Sequence, residues 1–207
     1  MCSRRIGVLA VQGAFAEHTA RLRQLGCEAV ELRQLADLAR PLDGLVLPGG
    51  ESTTQAKLLR DLGMLQPLRQ LIRKGLPVLG TCAGLILLAE TVESTGDGRA
   101  AANPAGPLPV EGFRTLPVTV RRNGYGRQLG SFTATAPLHV KHGEGPIVPL
   151  TFIRAPRIVA TGPGVETLVS LDGEPVAVRY GNQIGCCFHP ELDSSDALYH
   201  LFLSLTA

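Results

Sequence analysis

The sequence predicts an α/β fold in which helices flank a mixed, mostly parallel central sheet with an antiparallel extension. In the first half of the chain, continuous apolar runs alternate with helical patterns, which is typical of parallel strands that are buried on both faces. In the second half, strand-like runs follow one another closely, and Asp172-Gly173 and Gly181-Asn182 are typical hairpin turns. The length of 207 residues indicates a single domain, residues 1–207.

Three apolar runs in the first half predict buried strands, and they are Ile6–Val11, Gly44–Pro48 and Pro77–Gly80. Glu28–Leu32 predicts a further strand, and Leu35–Leu38 predicts a short helical turn. The helical patterns are Ala16–Leu25, Thr54–Leu62, Pro67–Lys74 and Ala83–Glu90. This alternation of strand and helix predicts βαβ units.

The second half predicts the antiparallel extension. The stretch Glu93–Pro109 is rich in Gly, Pro and Ala and predicts a surface loop, and Asp196–Leu205 predicts a closing amphipathic helix. The strand-like runs between them are Leu116–Arg121, Gln128–Thr135, Thr151–Ile153, Ile158–Thr161, Thr167–Leu171, Pro175–Tyr180 and Gln183–Phe188.

The charge and the aromatic content argue against several classes of partner. The chain has 20 Lys+Arg against 18 Asp+Glu, a net charge of +2, and no basic run exceeds two residues. Aromatic residues make up 4% of the chain, with no Trp. This composition lacks both the basic surface and the stacking groups that nucleic acids require. We therefore expect no nucleic-acid partner and no membrane partner.

The cysteines and the N-terminal region predict a cytoplasmic protein with reduced thiols. The chain has five cysteines, an odd number, which disfavours a disulfide framework. The basic residues before Ile6–Val11 resemble the start of a signal peptide, but Gln12 and Gly13 interrupt the apolar run. A buried strand is the better interpretation. No apolar run approaches the length of a membrane span.

Cys82 is the candidate nucleophile. It lies in Gly80-Thr81-Cys82-Ala83-Gly84, where a predicted buried strand turns into a helix, and this pattern resembles a nucleophile elbow with Cys in place of Ser. The helix N-terminus favours a thiolate, and the Ala83 N–H points towards an oxyanion formed on an attacked carbonyl. The alternative is that Cys82 is simply a small buried hydrophobic residue.

His189 and Glu191 are the candidate base and its orienting carboxylate. Pro190 keeps His189 out of the helical region, and residues two apart in an extended chain project to one side. Glu191 can then accept the Nδ1–H of His189, which leaves Nε2 for Cys82. Cys82 and His189 both follow predicted strands, at the strand ends where α/β sheets bind ligands. The remaining histidines lie in helices or a polar loop: His18, His139, His142 and His200.

A metal site is a rival interpretation of the same segment. Cys187, His189 and Glu191 alternate and could ligate a metal ion. The set lacks a fourth spaced ligand and a C-x-x-C pair, which disfavours this interpretation. We therefore predict no metal, and we interpret Cys186 and Cys187 as core thiols.

A glycine-containing loop follows the second buried strand. Its sequence is Pro48-Gly49-Gly50-Glu51-Ser52-Thr53-Thr54, and either Ser52 or Thr53 could cap the following helix. The loop lacks the lysine and the spacing of a phosphate loop. Beside Cys82 it could supply a second oxyanion donor, the N–H of Gly50, and Glu51 could meet an ammonium group of a substrate. The alternative is a plain tight turn.

Together these segments resemble the class I, triad-type glutamine amidotransferases. More specifically, their order and spacing resemble the glutaminase subunits of pyridoxal 5′-phosphate synthase. The resemblance extends from Arg5 to the last helix. It rests on Val11-Gln12-Gly13 with Glu17-His18, Pro48–Thr54, Gly80–Leu85, Arg122–Gln128, Phe152–Pro156 and Phe188–Leu192. Gly124-Tyr125 stands where that family often has Ser-Phe or Ala-Phe.

The resemblance implies a flavodoxin-like fold and the hydrolysis of L-glutamine to L-glutamate and ammonia through a glutamyl thioester. It makes Cys82 the nucleophile, His189 the base and Glu191 its orienting residue, with Gly50 and Ala83 forming the oxyanion hole. The glutamine-binding residues that it implies are Gly50, Glu51, Ser52, Arg122, Ile153 and Arg154. Arg122 could pair with the substrate α-carboxylate.

The resemblance also implies a partner but no cofactor. The partner is a synthase subunit in a hetero-oligomeric ring complex, which uses the ammonia to make pyridoxal 5′-phosphate. Gln12 and Gly13 would lie near the shared face, and the oxyanion loop would be arranged only on docking, so we expect weak activity from the isolated chain. Two alternatives stay open: a glutaminase of another synthase, such as imidazole glycerol phosphate synthase, and a non-catalytic binding module.

Overall fold

The computed structural model describes residues 4–93, 110–125, 130–140 and 143–206. Most of the predicted loop Glu93–Pro109, the segment 126–129 and His142 lie outside the described residues. Cys2 also lies outside them. In the described part of the chain, strands and helices alternate up to Thr81 and strands dominate the second half.

The strands form one large sheet and two small ones. Among the described residues the large sheet has seven strands in the order β10-β11-β12-β4-β3-β1-β2, and the small sheets have the orders β5-β6-β9 and β7-β8. The strands are β1 (Arg5–Leu9), β2 (Glu28–Leu32), β3 (Gly44–Leu47), β4 (Val78–Thr81), β5 (Ala89–Glu93), β6 (Leu116–Arg121), β7 (Ser131–Val140), β8 (Gly143–Ile153), β9 (Arg157–Thr161), β10 (Glu166–Leu171), β11 (Glu174–Tyr180) and β12 (Gln183–Cys186).

The large sheet confirms the predicted mostly parallel fold with an antiparallel extension. Neighbours from β2 to β12 pair in parallel, whereas β12-β11 and β11-β10 pair antiparallel. The parallel part has the flavodoxin-like order, with β12 in the fifth place. Strands β3, β4 and β12 are buried at every residue, which explains why they form unbroken apolar or small-residue runs in the sequence.

The described part of the chain contains five α-helices and two short 3₁₀ helices. They are α1 (Phe15–Gln24), α2 (Ser52–Asp61), α3 (Leu65–Arg73), α4 (Ala83–Leu88) and α5 (Ala197–Leu203), with 3₁₀ helices at Leu35–Ala39 and Pro190–Leu192. The helical turn predicted at Leu35–Leu38 is therefore confirmed. In the described part of the chain, no helix is long and apolar enough to cross a membrane.

Two predicted elements are wrong in extent. The helix predicted over Ala83–Glu90 ends at Leu88, because the chain turns at Ala89 into β5, which pairs with β6. The polar loop predicted around His139 is instead part of β7, which forms a long antiparallel hairpin with β8. The prolines and glycines of this hairpin concealed it from sequence patterns.

Aromatic packing attaches the β7-β8 hairpin to the end of β12. Phe132 and Phe152 stack with ring centroids 4.4 Å apart, and Tyr125 meets both of their rings. Phe152 in turn meets Phe188 edge to face at 5.9 Å. Phe188 directly precedes His189, so this cluster fixes the backbone from which the candidate base projects.

Candidate active site

Cys82 lies at the turn between β4 and α4 that the sequence predicts. Its φ of +48° is rare for a residue with a side chain and marks a strained turn. The flanking glycines make the turn possible: a Cβ on Gly84 would lie 2.0 Å from the carbonyl oxygen of Leu47, and one on Gly80 would lie 2.7 Å from Leu88. The turn therefore packs directly on β3 and presents the thiol at the carboxyl end of the sheet.

The Cys82 side chain is 6% exposed and is held from two sides. Its backbone N–H donates to the carbonyl oxygen of Cys186 at 2.8 Å, which continues the parallel pairing of β4 with β12. Its Sγ lies 3.9 Å from the carbonyl oxygen of Ile153. The strained turn thus has little freedom to move the sulfur.

His189 and Glu191 follow β12, the strand next to β4. The His189 N–H donates to the carbonyl oxygen of Thr151 at 2.8 Å, and its Nδ1 lies 2.7 Å from Glu191 Oε1. The predicted pairing of these side chains is present, and His189 lies outside the helical region as predicted, with φ −111° and ψ 82°. The prediction that the chain stays extended as far as Glu191 is wrong. Pro190 begins a 3₁₀ helix that contains Glu191, because proline suits the first position of a helical turn. The turn folds the carboxylate back onto the imidazole.

The electrostatics of this pair favour a charged imidazole. Burial lowers the pKa of His189, but hydrogen bonds with Cys82 and Glu191 outweigh burial and raise this pKa to about 10. Burial likewise disfavours the Glu191 carboxylate, but the hydrogen bond from His189 and the charge of its imidazolium leave the pKa of Glu191 lowered. At neutral pH these shifts favour an imidazolium between a carboxylate and the Cys82 sulfur.

Glu51 is the cap of α2, so the expectation that Ser52 or Thr53 caps this helix is wrong. Its carboxylate accepts from the N–H groups of Thr53 and Thr54, at 3.2 and 2.7 Å. A longer side chain can reach these donors because Glu51 itself is extended, with φ −98° and ψ 107°. Burial raises the pKa of Glu51, but these hydrogen bonds lower it further than burial raises it. Arg122 Nη2 also lies 3.1 Å from Glu51 Oε1.

Gln12 and Gln55 support the glycine loop, a role that the sequence patterns did not indicate. Gln12 Oε1 accepts from the N–H of Glu51 at 2.8 Å. Gln55 Nε2 donates to the carbonyl oxygens of Gln12 and Pro48, at 2.9 and 3.2 Å. Gln55 is fully buried on α2, and a polar residue on the apolar face of a helix is the feature by which it could have been found.

Gly49 and Gly50 bring the loop into close contact with its neighbours. A Cβ on Gly49 would lie 2.3 Å from Cε1 of His189, and one on Gly50 would lie 2.5 Å from Gln12 Oε1. The carbonyl oxygen of Gly49 accepts from the N–H of Ala14 at 3.0 Å. The predicted approach of this loop to the candidate active site is therefore present in the structure.

A cavity of about 350 Å³ opens beside Cys82. Two predicted residues, Ala83 and Glu191, do not line this cavity. Glu191 is buried and contacts His189, which does line it. The predicted residues that line it are Gly50, Glu51, Ser52, Cys82, Arg122, Ile153, Arg154 and His189. Arg154 has a φ of +44°, so strained backbone occurs on both sides of the cavity.

The structure offers no support for the metal alternative within its described ranges. No three or more His, Cys, Asp or Glu side chains gather there in a way that would hold a metal ion. Cys186 and Cys187 are fully buried, and burial raises the pKa of both thiols. They are placed as the core thiols that the sequence predicts.

His18 is a further buried polar residue that the sequence patterns did not indicate. It projects from α1 and is fully buried. Its Nε2 lies 3.3 Å from Glu191 Oε2, and its Nδ1 lies 2.6 Å from the hydroxyl of Tyr199. Because these partners come from distant parts of the chain, local sequence spacing could not place His18 here.

The site has the features of enzymes that cleave amides through a thioester. These features are a thiol at a strained strand-to-helix turn, a buried His–Glu pair and an adjoining cavity. The fold and the cavity agree with that class. Comparison with known proteins narrows it: the chain belongs to the SNO glutamine amidotransferase family, whose model matches residues 8–206.

Relatives and solved structures agree with this membership. The chain is 53% identical to pyridoxal 5′-phosphate synthase subunit PdxT of Desulfitobacterium hafniense (strain Y51), over 96% of this chain and 92% of the relative. It is 50% identical to the PdxT of Methanocorpusculum labreanum, over 98% of both chains. A crystal structure of a glutamine amidotransferase has a TM-score of 0.82 and 39% identity, over 97% of each chain.

A more distant structure shares the fold alone. It is a glutamine amidotransferase from Thermotoga maritima, with a TM-score of 0.58 and 16% identity, over 92% of this chain and 77% of that one. The parallel sheet is therefore common to chains whose sequences differ widely.

Proposed function

We propose that this chain is the glutaminase subunit of a pyridoxal 5′-phosphate synthase, and that residues 1–207 form one catalytic domain. In this role it hydrolyses L-glutamine to L-glutamate and ammonia and delivers the ammonia to a synthase subunit. The observation that carries the proposal is the Cys82, His189 and Glu191 array beside a cavity lined by a charged pair. The two relatives named as PdxT support the choice of synthase.

Cys82 is the proposed nucleophile and His189 the proton carrier. The thiol proton resides on His189 while Sγ forms a bond to the side-chain amide carbon of glutamine. The carbonyl oxygen takes the negative charge, and the N–H groups of Gly50 and Ala83 stabilise it. The C–N bond then breaks as His189 gives its proton to the departing nitrogen, which leaves ammonia and a γ-glutamyl thioester.

Water completes the proposed cycle. His189 takes a proton from a water molecule, whose oxygen attacks the thioester carbon, and the Cys82 sulfur leaves. Glutamate is released and the thiol is regenerated when the proton returns to sulfur. Glu191 stabilises the imidazolium that forms in both halves of the reaction. The pKa of His189 supports this role, because it is raised to about 10 although burial lowers it.

The charged ends of glutamine match the charged pair at the cavity. Arg122 and Glu51 lie 3.1 Å apart there. A zwitterionic amino acid can place its α-carboxylate against Arg122 and its α-ammonium against Glu51, so that each side chain keeps an opposite charge as partner. Ser52, Ile153 and Arg154 complete the proposed binding surface, since they line the same cavity.

A synthase subunit is the proposed partner, in a ring complex in the cytoplasm. The free thiols of the described cysteines support the location. Gln12 and Gly13, which support the glycine loop, are proposed to lie near the shared face. Ammonia release is therefore expected to be weak from the isolated chain and to rise when a synthase subunit is added. Full activity from the chain alone would contradict the coupling.

Substitution of Cys82 tests the catalytic assignment. We expect Cys82→Ala to abolish glutamate formation and to retain the wild-type circular dichroism spectrum, because the side chain is small and lies at a turn. Cys187→Ser is the matched control, since Cys187 is buried and does not line the cavity. Retained turnover in Cys82→Ala, or loss confined to Cys187→Ser, would refute the assignment.

A further inference from the structure

His18 and Tyr199 form a buried polar chain behind the candidate triad. Both side chains are fully buried. Helix α1, which supplies His18, meets two elements from the other end of the chain: the 3₁₀ helix after β12 supplies Glu191, and α5 supplies Tyr199. Polar groups are rarely buried without a partner, because desolvation costs free energy. Both ring nitrogens of His18 and the Tyr199 hydroxyl have such a partner among the described residues.

The contacts define which ring nitrogen of His18 carries the proton. The Tyr199 hydroxyl lies 2.6 Å from Nδ1. Nε2 lies 3.2 Å from Thr81 Oγ1 and 3.3 Å from Glu191 Oε2. A lone pair on Nε2 would face the negative Glu191 carboxylate, so the contacts favour the tautomer in which Nε2 carries the hydrogen and Nδ1 accepts from the phenol.

His18 is a neutral donor in this arrangement. Burial lowers its pKa, and the His189 ring also lowers it, whereas Glu191 and Glu17 act in the opposite direction less strongly. Burial, and the nearby Glu191 carboxylate, raise the pKa of the Tyr199 phenol, so it stays protonated and donates. The groups that face His18 are thus Glu17, Thr81, His189, Glu191 and Tyr199.

Glu191 needs a second partner because its two oxygens have different surroundings. Oε1 lies 2.7 Å from His189 Nδ1. Oε2 is fully buried and accepts no well-aligned hydrogen bond from the described residues. His18 Nε2 lies 3.3 Å from Oε2, and the positive end of its N–H dipole offsets part of the cost of burying that oxygen.

We propose that His18, with its proton position set by Tyr199, is a positioning residue that holds the second oxygen of Glu191 and thereby aims its first oxygen at His189. A neutral donor suits this task. It restrains the carboxylate without neutralising it, so that the charge of Glu191 acts on His189. The inference rests on the proposed catalytic function of the triad, but the contacts that carry it do not involve the substrate.

Alkylation of Cys82 by iodoacetamide tests the inference without glutamine. The full chain is alkylated at a series of pH values and then digested. The rate is measured by mass spectrometry on the peptide that contains Cys82. His18→Phe fills a similar space without a donor. With a less well-oriented Glu191, the imidazolium of His189 is less stable, so we expect the pH of half-maximal rate to move up. Because the thiolate is the reacting form, each rise of about one pH unit in that midpoint lowers the rate at a lower pH by about 10-fold. We expect a rise of about one to two units and therefore a loss of about 10-fold to 100-fold at pH 7.

Three further variants separate positioning from stability. His18→Gln retains an N–H donor, and we expect an alkylation profile close to that of the wild type. Tyr199→Phe removes one oxygen, and we expect a shift in the same direction as in His18→Phe. Leu22→Ala empties part of the core beneath α1, where Leu22 is fully buried, and should lower Tm without moving the profile.

The outcomes distinguish this inference from the proposed function. A wild-type profile in His18→Phe would overturn the inference, as would a shift in Leu22→Ala as large as that in His18→Phe. If His18→Phe does not fold, Tyr199→Phe decides, and an unshifted profile there would overturn it. Glutamine turnover is measured in parallel, and kcat should fall with little change in KM. If the wild type did not turn over glutamine but the alkylation shifts were observed, the proposed function would be refuted and the inference about His18 would stand.

Discussion

The close approach of Gly49 to His189 gives a test of the candidate base in which no candidate catalytic residue is substituted. A Cβ at position 49 would lie 2.3 Å from Cε1 and 2.9 Å from Nδ1 of the imidazole, whereas ordinary contact begins at 3.4 Å. The ring of Gly49→Ala must therefore move by about 1 Å. Gly49 has no positive φ, so the alanine tests this contact and not the backbone conformation.

A ring that moves by about 1 Å away from position 49 changes its distances to both of its partners. It must lengthen the 2.7 Å bond to Glu191 or leave the sulfur of Cys82. A misplacement of 1 Å costs on the order of 100-fold, or about 2.7 kcal/mol of transition-state stabilisation. We expect kcat/KM of Gly49→Ala for glutamine to fall by about that factor.

Steady-state glutamate release, measured with the synthase subunit present, is the assay. Gly63→Ala is the control, since Gly63 follows α2, has a φ of +68° and has nothing within 4 Å of an added Cβ. Its strain of about 1–2 kcal/mol should lower Tm and leave kcat/KM unchanged. If Gly49→Ala retained kcat/KM within a factor of about 3, the position assigned to His189 would be wrong.

Three further predictions follow from the same contacts. Arg122→Ala should raise KM for glutamine by about 10-fold to 100-fold with little change in kcat or Tm, since the lost partner is a charged substrate group and the Arg122–Glu51 pair is partly exposed; steady-state kinetics and a thermal melt check this. Gly84→Ala should prevent folding, because its Cβ would lie 2.0 Å from the carbonyl oxygen of Leu47; a wild-type circular dichroism spectrum would contradict this. Burial lowers the pKa of His18 in the folded state, so only the unfolded chain takes up this proton just below pH ~6.5 and the free energy of unfolding falls by up to about 1.4 kcal/mol per pH unit. Urea unfolding between pH 7.5 and pH 5.0 should show a shallower slope for His18→Gln, and an equal slope would refute this assignment.

The acid range of that experiment isolates His18 from the triad. Burial disfavours the Glu191 carboxylate, but its hydrogen bond from His189 lowers its pKa, so its contribution is lost only as pH falls through that lowered value. The folded-state pKa of His189 is raised to about 10, against the lowering effect of burial, by its bonds to Cys82 and Glu191. Its contribution is complete below pH ~6.5 and is lost as pH rises towards 10.

The parallel core was predictable because burial on both faces leaves a simple pattern. Strands β3, β4 and β12 have no exposed residue, and an unbroken run of apolar or small residues is what such strands require. The turn at Cys82 was predictable for a similar reason. Its two flanking glycines are needed where a Cβ would meet Leu47 or Leu88, and local sequence displays them.

Features that depend on distant partners were not predictable. The cap of α2 is Glu51 rather than the more usual Ser52 or Thr53, because the backbone of the glycine loop decides which side chain reaches the free N–H groups. His18 gave the pattern of an ordinary helical residue, and its role depends on Tyr199, which lies 181 residues away in sequence. The β7-β8 hairpin was underestimated because its pairing partner, rather than its propensity, makes it a strand.

The pairing of β4 with β12 also has a consequence for the synthesis of the chain. The register places Thr81 beside Cys186, so the thiol-bearing turn and the segment with His189 become neighbours only when the last strand of the sheet has formed. A ribosome completes the turn at Cys82 more than a hundred residues before it reaches His189. During that interval the nascent chain holds the proposed nucleophile without the proposed base. With Cys82 and His189 in their proposed roles, we expect glutamine hydrolysis to begin only after β12 has joined the sheet.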